Sequence, residues 1–389
     1  MGEAYIIDSV RTPVGRRNGA LAGVRADELA AIPLAELVER TGVDPNAIED
    51  VVMGCVTQVH EQSLNVSRNA ALIAGFPVDV TGTTVNRLCG SSQQALNFAA
   101  MGVASGHQDL VIAAGVENMS RITMGSDMFM QGEMVTPSEK MNWKYNIIPQ
   151  GLSAELVAQR FQLSREELDA YSLESHERAA AADDAGKFER EIVAVDVHTE
   201  EKGDFSFTND EGIRRGSKIE KLASLKPAFR EDGVITAASS SQISDGAGAI
   251  MLASKAAVDK YGLKPRARII SMATAGVDPT IMLTAPIGAT QKALAKAGLN
   301  IDDMGAIELN EAFASVALGC GRELGVNFDK VNVYGGAIAL GHPLGCSGVR
   351  LVTTLLNILE DKDERYGLST MCIGFGQGIA TIIDRQIEA

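Results

Sequence analysis

Apolar residues in this chain gather into short uninterrupted runs separated by longer amphipathic stretches. Ala4–Val10, Asp50–Val56 (DVVMGCV) and Leu110–Gly115 (LVIAAG) read as strands, the last two with the unbroken hydrophobicity of strands covered on both faces. Leu29–Thr41 predicts a helix with Pro33 in its first turns and Gly42 as its stop. Thr83–Leu88 leads into Cys89, and a helix rich in small residues is expected from about Gly90 to Ser105. Further helices are expected over Ser153–Phe161 and Ser164–Ala185, where Ser164 and Glu167 have capping-box spacing. Lys202–Arg215 is polar, carries Gly203 and Gly212, and reads as hairpin or loop.

The last third repeats the first. Gly42-Val43-Asp44 through Val51-Val52-Met53 aligns with Gly298-Leu299-Asn300 through Ile307-Glu308-Leu309 at one constant offset. Leu88-Cys89 and Gly345-Cys346 follow at nearly the same offset, each opening a helix, and Leu110–Gly115 then matches Ser369–Gly374. Two similar α/β halves separated by an inserted segment are the simplest account. The insert has its own character: Met119, Met124, Met128, Met130, Met134 and Met141 fall in it without a clear period. They fit either loop core or subunit contact, or an adaptable wall for an acyl tail.

Composition narrows the function. The chain has 389 residues, 46% of them hydrophobic, and 39 glycines, enough for a large close-packed core. A net charge of -15 argues against general nucleic-acid binding, so an anionic ligand would need a local cluster of positive charge. Arg214, Arg215, Lys218, Lys221 and Lys226, within Ile213–Phe229, supply one, although such runs are usually a solvated face. No apolar run reaches membrane-spanning length, and the N-terminus lacks a basic start followed by an apolar core, so neither membrane nor secretion is expected. The five cysteines (Cys55, Cys89, Cys320, Cys346, Cys372) are sparse and odd in number, which suits a reducing cytoplasm. Without CxxC or HExxH spacing, no metal is expected.

The candidate chemistry lies in glycine-rich turns. NVYGGAIALGHPLGCSG places His342 in a loop whose shape is set by glycines and by Pro343, so the backbone can aim the imidazole. Cys89, in VNRLCGSSQQA, stands where a strand meets a helix, and free N–H groups at a helix start favour a thiolate. Alone, it fits an inert buried cysteine equally well. Cys372, in MCIGFGQG, precedes Gly374, Gly376 and Gly378, whose uncovered N–H groups can serve a developing oxyanion or simply allow a close turn. Asn310-Glu311 follows the strand Ala306–Leu309, where α/β sites form, but Asn310 also reads as a helix N-cap.

Taken together, VNRLCGSSQQA, AAGVENMS, LKPAF, ITAASSSQISDGAGA, NEAFA, GGAIALGHPLGCSG and CIGFGQG, in this order along nearly the whole chain, resemble the thiolase family. The resemblance implies a five-layer α/β/α/β/α fold of two pseudo-equivalent halves with an inserted loop domain, in a homodimer or a homotetramer. The corresponding division is 1–117, an insert at 118–245, a return to the first half at 246–265, and a second half at 266–389. It implies Cys89 as the nucleophile that carries the acyl group, His342 as its base and Cys372 as the second acid/base. Asn310, with a water and His342, would stabilise an oxyanion or enolate, and the N–H groups of Cys89 and Gly374 would form the other oxyanion site. Arg214 and Ser241 match positions that touch coenzyme A, which would be a co-substrate, with no tightly bound cofactor.

Cleavage of a 3-ketoacyl-CoA needs attack on a ketone and a carbanion leaving group, which a thiolate, an enolate site and a proton donor supply. The chain departs from the family pattern at Ala238 and Ser239, where Gly and Asn are frequent, and at Phe375, where many members have another glycine. Lys221 replaces a small residue of short-chain members, and Pro149-Gln150 stands where short-chain biosynthetic members commonly carry His-Met. These departures favour a degradative 3-ketoacyl-CoA thiolase, in fatty-acid β-oxidation or related breakdown, over an acetoacetyl-CoA thiolase. Membership of a β-oxidation complex is left open. A ketoacyl-synthase-type condensing enzyme would pair its cysteine with two histidines or with a histidine and an asparagine. A silent acyl-CoA-binding scaffold would lack Cys89 or His342.

Overall fold

The computed structural model describes residues 2–130, 132–135 and 137–387. The side chains of Met130 and Met134, two of the methionines singled out above, lie outside the described residues. The main sheet is built from β1 (Ala4–Arg11), β2 (Asp50–Gly54), β3 (Thr81–Val85), β4 (Leu110–Asn118), β5 (Ser244–Ala253), β6 (Ala267–Gly276), β7 (Met304–Leu309), β8 (Tyr366–Ile373) and β9 (Gln377–Asp384). Their spatial order is β7-β8-β9-β6-β1-β5-β4-β2-β3, with the two-residue strand Gly15–Arg16 added beside β5. β2 runs parallel to both β3 and β4, and β7 runs parallel to β8; the other pairings are antiparallel.

The two halves meet at a narrow seam. β1 joins β6 through only Ala4↔Ile269, Tyr5↔Arg268 and Ile6↔Ala267, so the half-sheets form one hydrogen-bonded ladder that folds around a central helical layer. The principal helices are α1 (Ala26–Thr41), α2 (Val66–Ile73), α3 (Ser91–Ala104), α4 (Gln150–Arg160), α5 (Arg165–Asp184), α6 (Ala285–Ala297), α7 (Ala314–Leu324) and α8 (Ser347–Asp361). α3 and α8 share one core with strands of both halves, and α8 is buried from Ser347 to Leu359. α1 and α2 cover the outer face of the first half, and α6 and α7 that of the second. This is the five-layer order, and it explains why β4, β5 and β8 are buried on both faces: each is covered twice.

The halves correspond element for element. α1 and α6 both end on a left-handed glycine, Gly42 (φ 66) and Gly298 (φ 67). A short 3₁₀ turn follows in each, and then β2 or β7. α1 begins at Ala26, earlier than its pattern predicts, which puts Pro33 inside the helix. The capping box of Ser164 and Glu167 forms as read, and Val195–Thr199 pairs with Gly203–Phe207 as a hairpin. Asn118 and Asp245 are direct antiparallel partners, so the 119–243 segment leaves the sheet and returns to the adjacent strand.

Elements cross very closely near the middle of the molecule. A Cβ on Gly54 would stand 2.2 Å from Ser92 N, one on Gly115 2.2 Å from Gly345 O, and one on Gly348 2.2 Å from Gln93 N. Only glycine fits these crossings of β2 with α3, β4 with the His342 loop, and α8 with α3.

Candidate active site

Cys89 sits on a turn built by its neighbours. The Leu88 N–H donates to Asn86 Oδ1 (2.9 Å), the Arg87 N–H donates to Ser91 Oγ (2.9 Å), and Ser91 Oγ donates to Leu88 O (2.6 Å). These bonds hold Leu88 at φ 47, a left-handed conformation that a branched side chain resists. The turn delivers Cys89 just before Gly90, the N-cap of α3. A Cβ on Gly90 would lie 2.4 Å from Ile373 Cδ1, so glycine lets this turn press against β8.

The Cys89 thiol is pushed up to about 11, chiefly by burial, against the opposing pull of its own N–H, the Gly374 N–H and the Gln150 amide. The helix start therefore does not produce a resting thiolate, contrary to what the sequence suggests. The cause is the apolar cluster of Val56, Met119, Leu344, Ile373 and Ile379 in which the sulfur is packed. Met119 is thus a neighbour of Cys89, whereas Met124 and Met128 are exposed.

Cys372 lies near the end of β8, in the hairpin with β9. The turn uses Phe375 at φ 60 and Gly376 at φ 79, where a Cβ would also stand 2.5 Å from Val277 O. This geometry turns the Gly374 N–H toward the Cys89 sulfur. Burial raises the Cys372 thiol well above the usual thiol range, and the neighbouring Cys89 sulfur adds to the effect. Arg87 Nη1 donates to Gln377 Oε1 (2.8 Å), tying the Cys89 turn to this hairpin.

His342 is aimed by its loop, as its glycines suggested. Gly341 has φ 101, and a Cβ there would meet Ser244 Oγ at 2.3 Å. The His342 N–H donates to Gln242 O (3.2 Å) and Ser244 Oγ (3.3 Å). Its Nδ1 lies 2.6 Å from Ser347 Oγ, whose own hydrogen goes to Pro343 O at 2.8 Å. Ser347 must then accept, so Nδ1 carries the proton and the Nε2 lone pair faces Asn310 Nδ2 at 3.3 Å. Burial, with a smaller contribution from Arg350, lowers the imidazole to about 3, so it stays neutral. A neutral imidazole with a bare Nε2 can act as a base.

Asn310 is not a helix cap. α7 starts at Ala314 with Phe313 as its N-cap, and the Asn310 N–H donates to Thr370 O (3.0 Å) on β8. Asn310, just past β7, and Cys372, near the end of β8 before its hairpin, thus stand at the carboxyl ends of adjacent parallel strands, where α/β folds place their sites. The loops are fixed by two buried carboxylates. Glu117 accepts from Val56 N (2.9 Å), Thr57 N (3.0 Å), Gln62 Nε2 (2.9 Å) and Gly345 N (2.9 Å). Glu311 accepts from Tyr171 Oη (2.9 Å), Ser175 Oγ (2.7 Å), Asn332 Nδ2 (3.0 Å) and Ile338 N (3.1 Å).

The structure thus places Cys89, Cys372 and Gly374 together and pairs Asn310 with His342, and Leu344 packs the His342 loop into the Cys89 cluster. Ser241 lies beside this centre, its N–H donating to Ala312 O (3.0 Å). Arg214 is exposed on a surface cleft shared with His176, Arg215 and Ser217, and its N–H donates to His176 Nδ1 (3.1 Å). Gln242 Nε2 links that region to the segment leading into the His342 loop through Gly212 O (3.0 Å) and Ile338 O (2.8 Å). The basic cluster within Ile213–Phe229 is mostly loop; only Ile219–Ala223 is helical, and Arg215 pairs with Asp183 and Asp184. Sequence reasoning missed Ser347 and Glu117, although both sit inside the motifs it singled out; a polar residue five positions beyond His342, at the start of a helix, was the available signal for Ser347.

Comparison with known proteins gives this arrangement its class. Residues 4–256 match the family model "Thiolase, N-terminal domain", and residues 263–385 match "Thiolase, C-terminal domain". The chain belongs to the thiolase family, and it is an acyltransferase. It is 49% identical over 392 residues to the steroid 3-ketoacyl-CoA thiolase FadA6 of Mycobacterium tuberculosis, covering 99% of this chain and 95% of that protein. It is 48% identical over 402 residues to a β-ketoadipyl-CoA thiolase of Escherichia coli, covering 99% of this chain and 100% of that protein. The crystal structure of the Bacillus anthracis acetyl-CoA acetyltransferase superposes with a TM-score of 0.92 at 37% identity, covering 99% of both chains.

Proposed function

We propose that the chain is a degradative 3-ketoacyl-CoA thiolase that uses coenzyme A as co-substrate, with no tightly bound cofactor. The observation that carries the reading is the pair of buried cysteines, Cys89 and Cys372, meeting beneath the Gly374 N–H beside a neutral His342–Asn310 pair. His342 Nε2 takes the Cys89 proton as the sulfur attacks the substrate's C3 carbonyl, and the N–H groups of Cys89 and Gly374 receive the oxyanion. The C2–C3 bond breaks, Asn310 and His342 stabilise the acetyl-CoA enolate, and Cys372 protonates C2. The Cys372 thiolate then takes the proton of incoming coenzyme A, whose sulfur attacks the Cys89 thioester. The shortened acyl-CoA leaves, and the Cys89 thiolate recovers its proton from His342. The apolar wall of Val56, Met119 and Leu344 suits an acyl chain, and Arg214 and Ser241 are assigned to coenzyme A.

The names of the relatives, a steroid 3-ketoacyl-CoA thiolase and a β-ketoadipyl-CoA thiolase, favour an acyl group larger than acetyl. Segment 118–245 is read as the inserted loop domain. Among the described residues β3 is an edge strand, and with the exposed Phe98 and Met101 of α3 it supports a homodimer or a homotetramer; a cytoplasmic location is assigned. Two measurements decide the reading. Acetyl-CoA should leave an acetyl group on Cys89, and Cys89→Ala should abolish thiolysis; an adduct on Cys346 or Cys55 would refute the nucleophile. Thiolysis across short, long, dicarboxylic and ring-bearing 3-ketoacyl-CoA substrates should be fastest beyond the four-carbon acyl group. Preference for acetoacetyl-CoA would make the chain an acetyl-CoA C-acetyltransferase instead.

A further inference from the structure

The Cys89 sulfur has a polar neighbour outside the motifs that surround it. Gln150 is the first residue of α4, whose N-cap is Pro149. The start of α4 is held in place by packing. Gly151 is buried, and a Cβ there would lie 2.1 Å from the Phe229 ring. Phe229 in turn packs edge-on against Phe313, with centroids 5.8 Å apart. Just upstream, Thr280 Oγ1 donates to Asn146 O (2.9 Å). The Gln150 side chain is half-buried, and its Nε2 lies 3.5 Å from the point where a Cβ on Gly374 would stand. A rigid backbone thus carries a neutral, two-proton donor to the side of the sulfur that faces the insert.

We propose that Gln150 is a positioning residue for Cys89, its amide completing with the N–H groups of Cys89 and Gly374 a three-donor cradle for the sulfur. This rests on the reading of Cys89 as nucleophile. The two backbone donors alone have a double task, because the oxyanion claims them once an acyl group is attached. The side-chain donor is free to stay with the sulfur when Cys89 attacks and again when coenzyme A expels it as a thiolate. Burial and the Glu117 carboxylate both oppose ionisation of the sulfur. A neutral donor favours the thiolate without adding a fixed charge that would outlast the step.

The test compares Gln150→Met, which keeps length and removes the donor, and Gln150→Glu, which keeps shape and adds charge. Each is treated with iodoacetamide between pH 6.5 and 9.5, and the adduct is mapped by mass spectrometry. With Gln150→Met the Cys89 alkylation rate should fall about tenfold at every pH, the thiolate fraction lost with about one pKa unit. The glutamate variant should fall further, and kcat should drop while KM for coenzyme A stays within twofold. Either folded variant reacting at the wild-type rate overturns the proposal. Wild-type protein modified elsewhere than at Cys89 overturns the nucleophile reading itself, a separate outcome.

Discussion

Replacing Ser347 by alanine tests how His342 is made a base. The hydroxyl accepts from Nδ1 at 2.6 Å, and both residues are buried, Ser347 at 1% and His342 at 4% exposure. In the alanine variant the Nδ1–H has no acceptor, at a cost of about 1–3 kcal/mol for an unsatisfied buried donor. The imidazole can escape that cost only by moving its proton to Nε2. There it would face the donating Nδ2 of Asn310 at 3.3 Å, and the lone pair needed to take the Cys89 proton would be gone. If about 1.4–2.7 kcal/mol of this falls on the transition state, kcat drops about ten- to a hundredfold. Steady-state thiolysis and single-turnover acetylation of Cys89 measure it, and KM for coenzyme A should stay within twofold. Ser347→Thr, which keeps the hydroxyl, should recover most of the rate. A folded Ser347→Ala enzyme with kcat within twofold of wild type would refute both the tautomer assignment and the role given to His342.

Two further outcomes follow from buried ionisable groups. Glu117→Gln replaces a carboxylate that accepts four donors by a group with one acceptor and a competing NH₂, leaving at least two N–H groups unpaired. The expected loss is about 3–5 kcal/mol, read as a calorimetric Tm several degrees lower, and an unchanged Tm would contradict the pinning role. His176 is lowered to about 4 by burial and by Arg214, so the unfolded chain gains a proton below pH 6.5 that the fold refuses until near pH 4. Its contribution is complete above pH 6.5 and is lost as pH falls, by about 2 kcal/mol at pH 5. Urea titrations should therefore show wild type losing about that much more than His176→Gln between pH 7 and pH 5; parallel curves would exclude the effect.

Much of the fold was legible because its signals are local. The glycine stops at Gly42 and Gly298, and the cysteine-to-helix turns at Cys89 and Cys346, lie close to where the pattern put them. Cys89, Cys372 and His342 were legible because each sits in a glycine-defined turn. What was not legible depended on partners far along the chain. Asn310 reads as a cap because the neighbour that claims its side chain, His342, is 32 residues away. Glu117 looks like an ordinary strand-end carboxylate until Gly345, 228 residues on, donates to it. The direction of the Cys89 shift was missed for the same reason, since the apolar wall around the sulfur is assembled from several distant segments.

The crowded crossings at Gly54, Gly115 and Gly348 leave no room for a side chain where β2, β4 and α8 meet α3 and the His342 loop. Natural or laboratory variation therefore has little freedom in the floor of this enzyme. The 119–243 excursion is different, because Asn118 and Asp245 already stand opposite each other in adjacent strands across its base. Its ends are therefore set locally, while its helices α4 and α5 pack into the core and Tyr171 and Ser175 hold Glu311. New acyl shapes would be accommodated by changing its exposed stretch around Met124 and Met128, not the positions that hold Glu311 or carry Gln150.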